Sequence, residues 1–580
     1  MRIPRVFARL EMPSLLTLGV VGLLPSVVSA QSFYWNVNSG LWPTVANWVD
    51  GDSNAVGALA ANTGAGDYYL TNGTLGAQAT TTMTGTPSPR FINKLTVGQY
   101  NTLFLTGTAD TQNAGTPRVV TPLSNAGLIQ AGTASTDFLR VELNSSGTNL
   151  NTGEIRASQG TFRLQLNSSG NLDNSTTGLI RVMSGATMNM SAGSSSGSIQ
   201  NGTLRSEVGG LIQVGVYDVQ SKLRIEGVTV DNKGTFSTIQ STTQSTTSAR
   251  VVNTFLNGAT AFTNAVNATV NVLNTGEGNN AGAVTRLDVR FDMNNTASFD
   301  NKGVLNVLNE TTRTGGSLIG NMAVFSVNAT GAAFINTGTV NVINNSTSAG
   351  ATAEFKSVKS IVNAGIVRVK GDAGNANASF TVTGSGNNYT QSGTGQRTLL
   401  ERGGLLSAED VVIDSGDLGG VGTVAGLEAT IGSAARLVAG DTLAAGAGAG
   451  ALVFNTHLTF ADNSEAVFAL GADTAGSGRV TLGSGFDLTI GEAVTVSILD
   501  LDGSATAGTT YRLFELNGGS VTGSFTLNSL MPEGLGGYLT VGANYVDVTL
   551  TAAVPEPSTY GVLAAGLVGA SVLGLRRRRG

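Results

Sequence analysis

Six times between residues 125 and 367 the chain repeats one short phrase: Asn, any residue, Gly, then a pair that is aliphatic or β-forming. The copies are Asn125-Ala126-Gly127-Leu128-Ile129, Asn151-Thr152-Gly153-Glu154-Ile155, Asn232-Lys233-Gly234-Thr235-Phe236, Asn301-Lys302-Gly303-Val304-Leu305, Asn336-Thr337-Gly338-Thr339-Val340 and Asn363-Ala364-Gly365-Ile366-Val367, with looser ones over 174–182 and 264–272. Several have an apolar residue two before the Asn, as at Phe299, Phe334 and Ile361, and then alternate outward and inward through Val304, Val307 or Val340, Val342. Spacings of 26, 35 and 27 residues separate Gly127 from Gly153, Gly303 from Gly338, and Gly338 from Gly365. A period in this range is one supersecondary unit per repeat, stacked in one dimension.

The unit reads as strand. Runs of four to six β-formers are separated by Gly, Asn and Ser, and no helix-length amphipathic pattern occurs in the body. Asn and Gly tolerate positive φ and suit a corner, while flanking aliphatics two apart share one inward face. Stacked coils would place like residues about 4.8 Å apart, so that some ten coils make a rod on the order of 50 Å, and Asn at a shared corner could form a hydrogen-bonded ladder. At 580 residues the chain exceeds a single globular core, and its 41% hydrophobic, 12% charged composition is too apolar for disorder. The expected fold is all-β: an elongated right-handed-type β-solenoid (parallel β-helix). An array of β-sandwiches is the alternative.

Charge and cysteine content narrow the chemistry. A net charge of -6 over this length is too weak a field to recruit a polyanion and of the wrong sign for nucleic acid. The absence of cysteine excludes disulfides and thiolate metal sites. Gly193-Ser194-Ser195-Ser196-Gly197 fits a nucleophile-elbow spelling, but in a Gly/Ser-rich loop far from the single histidine, His457. One histidine cannot build a zinc site, and Gly419-Gly420-Val421-Gly422 begins like a calcium nonapeptide without its Asp or its iteration. No metal or cofactor is assigned.

The two ends are more specific. Arg2, Arg5 and Arg9 precede an apolar run from Ser14 to Val28 bracketed by Pro13 and Pro25, and Val28-Ser29-Ala30 offers the small residues that signal peptidase inspects, with cleavage after Ala30. At the other end, Val554-Pro555-Glu556-Pro557-Ser558-Thr559 is held extended by its prolines. The uncharged stretch from Tyr560 to Leu575 would rise about 24 Å as a helix, and Arg576, Arg577, Arg578 and Arg579 would keep its end in the cytoplasm. This tail resembles the PEP-CTERM sorting signal, with Pro555, Glu556 and Pro557 as the namesake motif. The resemblance implies a single C-terminal transmembrane helix as an intermediate anchor, processing near Pro555 to Pro557 by an exosortase, and delivery to the cell surface or an exopolysaccharide matrix.

From residue 389 the texture changes. Tyr389-Thr390-Gln391, Gly403-Gly404-Leu405 and the run from Gly416 to Val424 resemble the glycine-rich strand repeats of autotransporter passengers and haemagglutinin-like surface proteins. An autotransporter proper ends in a membrane barrel, whereas this chain ends in Arg579 and Gly580, which argues against self-translocation. Longer alternating runs between Leu452 and Leu550 suggest a capping β-domain. The expected organisation is a signal peptide over 1–30, an aromatic-containing cap with the first strands over 31–120, Asn-x-Gly solenoid repeats over 121–388, Gly-rich strand repeats over 389–451, a C-terminal β domain over 452–552, and the sorting signal over 553–580. All three tryptophans, Trp35, Trp42 and Trp48, fall in the first cap, where they either plug the apolar end of the solenoid or stack on sugars.

These features point to a non-catalytic structural or adhesive surface protein, with exopolysaccharide or other cell-surface glycans as its possible partners. The rival class is a β-helical polysaccharide lyase or hydrolase, which needs a spaced carboxylate pair or a basic residue on one face. Glu409 with Asp410, Asp414 with Asp417, and Arg368 with Lys370 are the candidates for it.

Overall fold

The computed structural model describes residues 31–553, apart from short internal stretches of which 55–65, 107–117, 242–249, 276–286, 312–320 and 441–449 are the longest. Among the described residues the chain is all-β except for one 3-10 turn, Val45–Asn47. Three strands make one turn. Asn149–Asn151, Glu154–Ala157 and Gly160–Leu166 form a coil, and each pairs in parallel with its counterpart in the next coil, Asn171–Asp173, Leu179–Val182 and Ala186–Ser191. Repetition of this pairing builds three faces, called first, second and third in the order of those strands. The first face runs unbroken from Gln31–Trp35 to Thr510–Leu516, about eighteen rungs, so the rod is roughly 80 Å long at 4.8 Å per rung. That exceeds the ten-coil expectation because many coils carry no Asn-x-Gly phrase.

Alternation decides what goes inside. On the third face Val270, Leu305, Val340 and Val367 stack in register, as do Val272, Val307, Val342 and Val369, all buried. The middle of the core is lined by two facing columns of phenylalanine. Phe291, Phe325, Phe355 and Phe380 stack from the first face at centroid separations of 5.1, 5.2 and 4.2 Å, and Phe262, Phe299 and Phe334 from the second at 4.6 and 5.7 Å. Edge-to-face contacts such as Phe334 on Phe355 at 4.9 Å lock the columns together.

The asparagines of the phrase point inward and form ladders, at two different corners. Asn125, Asn151 and Asn174 follow first-face strands, each amide donating to the next carbonyl oxygen at 2.6 Å. Further along, Ser206, Asn232, Asn264, Asn301, Asn336 and Asn363 follow second-face strands, and from Asn232 onward each amide donates to the next at 2.7 to 2.8 Å. One phrase therefore serves two corners, with the change of corner between Asn174 and Ser206. The expected ladder is present; the expected reason for the glycines is not. Gly127, Gly153, Gly303, Gly338 and Gly365 are absent from the positive-φ positions. They are required because coils meet closely there: a Cβ on Gly338 would lie 2.1 Å from the carbonyl oxygen of Gly303, and one on Gly365 2.1 Å from that of Gly338.

In the coils from Ser206 to Asn363, length variation collects at the remaining corner. Connections from third to first face run from Gln240 to Arg250, Asn274 to Leu287 and Asn309 to Met322, against Asn344 to Thr352. These explain why the ladder spacing swings between 26 and 37 residues from Ser206 to Asn363 while the ladder itself is kept. The same three-faced ladder passes through residues 389–451, where Asp410–Ala439 turns corners as one continuous extended stretch, and on to Thr526–Leu527. At this end the direction reverses in the antiparallel hairpin Leu535–Val541 and Tyr545–Ala552. At the other end Trp35 and Trp48 are buried edge to face at 5.0 Å, with Phe33 stacked on Tyr68, so these two tryptophans plug the first coils.

Candidate functional site

Signal-cleavage residue Ala30, sorting residues Pro555, Glu556 and Pro557, the apolar segment 560–575 and Arg576 to Arg579 all lie outside the described residues. Among the described residues no helix is long and apolar enough to cross a membrane. What the fold adds is position: the last strand ends at Ala552, three residues before Pro555.

On the body, the outer side of the first face holds a groove of about 320 Å³ lined by Arg290, Asp292, Val324, Ser326, Glu354 and Lys356 among others. Three successive strands build it, Leu287–Met293, Met322–Val327 and Thr352–Ser357. Parallel register sets Arg290, Val324 and Glu354 in one row and Asp292, Ser326 and Lys356 in the next. Charge therefore alternates around a floor of one aliphatic and one hydroxyl side chain. Arg290 is paired with Asp288 at 3.5 Å, Lys356 with Glu354 at 3.1 Å, and Asp292, nearly buried, accepts from the Asn253 amide at 2.8 Å. A floor of one aliphatic and one hydroxyl side chain between balanced charges suits a neutral polyhydroxylated ligand better than a polyanion.

A second outward feature lies on the third face, where Ser237, Asn271, Asn306 and Asn341 stack in register, each amide donating to the preceding oxygen at 2.9 to 3.1 Å. Tyr34 and Tyr69 stack at 4.7 Å near the N-terminal end of the first face, with the Lys94 ammonium 5.2 Å from the Tyr69 ring.

The catalytic candidates from sequence are dispersed or already engaged. Arg368 forms a two-pronged ion pair with Glu401, which sits in the next coil and is nearly buried; Lys370 lies on the same third-face strand. Asp417 is buried between Arg436, at 2.8 and 3.1 Å, and Arg397, at 3.6 Å, and its hydrogen bond holds the Arg436 guanidinium above its usual range. Glu409 accepts the backbone N–H of Gly386, and Asp410 and Asp414 lie on the strand that begins there. His457 accepts the Asp487 backbone N–H at Nδ1, 3.1 Å, while the Ser520 N–H and hydroxyl pull the Asp487 carboxyl below its usual range. Gly197 opens a first-face strand; residues 193–196 and Trp42 lie outside the described residues. No group of three metal-ligating side chains occurs among the described residues.

Sequence reasoning missed the groove. Its residues come from strands more than sixty positions apart, from Arg290 to Lys356, although the alternation of Asp288, Arg290 and Asp292 in a charge-poor body was a legible signal.

Comparison with protein families identifies one match: residues 553–579 fit the PEP-CTERM protein-sorting motif. The motif carries recognition by an exosortase-type processing enzyme, export, and a membrane-anchored intermediate. No curated protein matches the chain.

Proposed function

We propose, from the premise that a PEP-CTERM motif follows directly on an all-β rod, that this chain is a structural or adhesive component of a bacterial cell surface or extracellular matrix. Signal peptidase removes residues 1–30 after Ala30. The 560–575 segment then spans the membrane as a helix, with Arg576 to Arg579 inside, until the exosortase acts near Pro555 to Pro557. The body is a right-handed coil, the hand that parallel strand connections adopt in nearly all folds. Hairpin 535–552 is its C-terminal cap. Having no catalytic role, the body contacts neutral surface glycans or exopolysaccharide along the first-face groove. The observation that carries this reading is the sorting motif placed three residues after the last strand of a single continuous ladder.

Support for a non-catalytic body comes from the groove itself. Asp292 and Glu354 stand two rungs apart, about 10 Å along the axis before their lateral offset, wider than the 6.5–9.5 Å of an inverting carboxyl pair. Both are also committed to neighbours. Fractionation of the epitope-tagged chain tests the sorting reading, comparing wild type with a variant in which Pro555, Glu556 and Pro557 are all Ala. Wild type is expected in the matrix without its tail and the variant full-length in the membrane. Full-length membrane-bound protein in both cases sinks the matrix assignment. Release of reducing or unsaturated sugars by the purified body, lost in Asp292→Asn, would move the assignment to a polysaccharide-degrading enzyme.

A further inference from the structure

The rod's last element is poorly protected for an exposed edge. Tyr545–Ala552 is its inner strand, with Val546, Val548 and Leu550 fully buried, and it pairs on one side with Thr510–Leu516 and on the other with Leu535–Val541. Leu535–Val541 pairs only with that inner strand among the described residues, so its far side is an open edge. Natural edges are blunted by lysine, proline, inward charge or a covering element. This one, Leu-Gly-Gly-Tyr-Leu-Thr-Val, has no charge and no proline, and it leaves Tyr538 55% and Val541 40% exposed.

Its surroundings are equally uncharged. From Asn517 to Ala553 the chain carries only Glu533 and Asp547 as charged side chains. Asp547 is used internally, bound to Arg512 Nε at 2.5 Å, and that guanidinium in turn lies 4.5 Å from the Tyr545 ring centroid. Glu533 is the only other charged side chain in this stretch. Elsewhere the outer faces carry ion pairs between successive coils, such as Arg181 with Glu207 and Arg205 with Asp231.

Covalent distance then decides what meets this surface. From Ala552 to Pro555 the chain can span at most about 10 Å even when fully extended. An enzyme that holds Pro555 to Pro557 in its active site must therefore lie against the hairpin. We propose that the uncharged edge strand Leu535–Val541 is the docking surface for the membrane enzyme that processes the tail, which pairs with or packs on this edge while the motif enters its active site. The proposal rests on the sorting reading above. In this account substrate recognition is shared between the motif and the folded end of the body, with Tyr538 and Val541 as contact residues.

A pulse-chase of the full chain in a host carrying the processing enzyme tests it. Tyr538→Asp and, as a second variant at an exposed position facing Asp547 across the hairpin, Thr540→Lys are compared with wild type and with Val266→Asp, an exposed site remote from the hairpin. Thermal unfolding confirms that each variant is folded. Tail removal is expected to slow by about tenfold in both hairpin variants and to be unchanged in Val266→Asp, the scale of effect typical of a contact residue. Processing of both hairpin variants at the wild-type rate overturns docking and leaves the sorting reading intact. Failure of wild type to lose its tail overturns both. If the purified tail-free protein floats with phosphatidylethanolamine/phosphatidylglycerol vesicles and Tyr538→Asp abolishes this, the edge meets lipid rather than the enzyme, and docking is again overturned.

Discussion

Replacing Asn301 probes the inner ladder at its centre. The Asn301 side chain is fully buried: its oxygen accepts from Asn264 at 2.7 Å, and its amide donates to Asn336 at 2.7 Å and to the Thr339 carbonyl at 3.0 Å. In Asn301→Ala the Asn264 amide keeps its second bond, to the Val304 carbonyl at 3.1 Å, whereas the Asn336 oxygen loses the donor from Asn301. One stranded buried acceptor and one weakened donor, at about 1–3 kcal/mol for a full loss, give a destabilisation of roughly 2–4 kcal/mol. Asn301→Asp is nearly isosteric but turns the donating nitrogen into an oxygen facing two other oxygens and buries a charge. It should cost more than alanine, about 3–5 kcal/mol, despite filling the space. Guanidinium unfolding followed by circular dichroism measures both. An Asp variant as stable as wild type, or more stable than the Ala variant, would refute the claim that amide direction along the ladder holds the coils in register.

Gly338→Ala should destabilise by about 1–3 kcal/mol or more, because the added methyl meets the Gly303 carbonyl rather than a flexible side chain, and the same unfolding assay reads it. Arg368→Met leaves the Glu401 carboxylate buried without its partner and should cost about 3–5 kcal/mol, while Arg368→Met with Glu401→Leu recovers most of that loss. Burial pushes the Tyr68 phenol up to about 12 and raises Tyr389 further, against an ordinary value of 10.0. Because both folded values lie above the unfolded one, the stability these two phenols contribute should be fully present below about pH 10 and fall as pH rises beyond it, and Tyr389→Phe should flatten that fall in an alkaline titration of unfolding. Insertion of eight Gly/Ser residues between Asn309 and Met322 should cost under about 1 kcal/mol by loop entropy, whereas the same insertion after Thr337 should abolish the ladder there, as hydrogen exchange would report.

The periodic phrase made stacking and strand legible because each Asn and Gly is needed locally, in every coil that carries it. Which corner the phrase marks was not legible, since Asn151 and Asn232 look alike in sequence and differ only in the face they follow. The role of the glycines was misread for a related reason: φ is a property of one residue, whereas the approach of Gly338 to Gly303 belongs to two coils 35 residues apart. Arg368 looked free on its strand because Glu401, its partner, lies 33 residues on. The groove was hidden in the same way, while the sorting motif was legible because its residues are contiguous.

A rod whose corners hold register by backbone contact and amide ladders, and whose long connections leave from corners that carry no ladder, can change size by whole coils. Each duplicated coil brings its own three strands and lengthens the rod by about 4.8 Å, leaving the aromatic plug and the terminal hairpin unaltered. Gene-level copy number thus sets how far the distal tip stands from whatever surface holds the C-terminal end, independently of what either end binds.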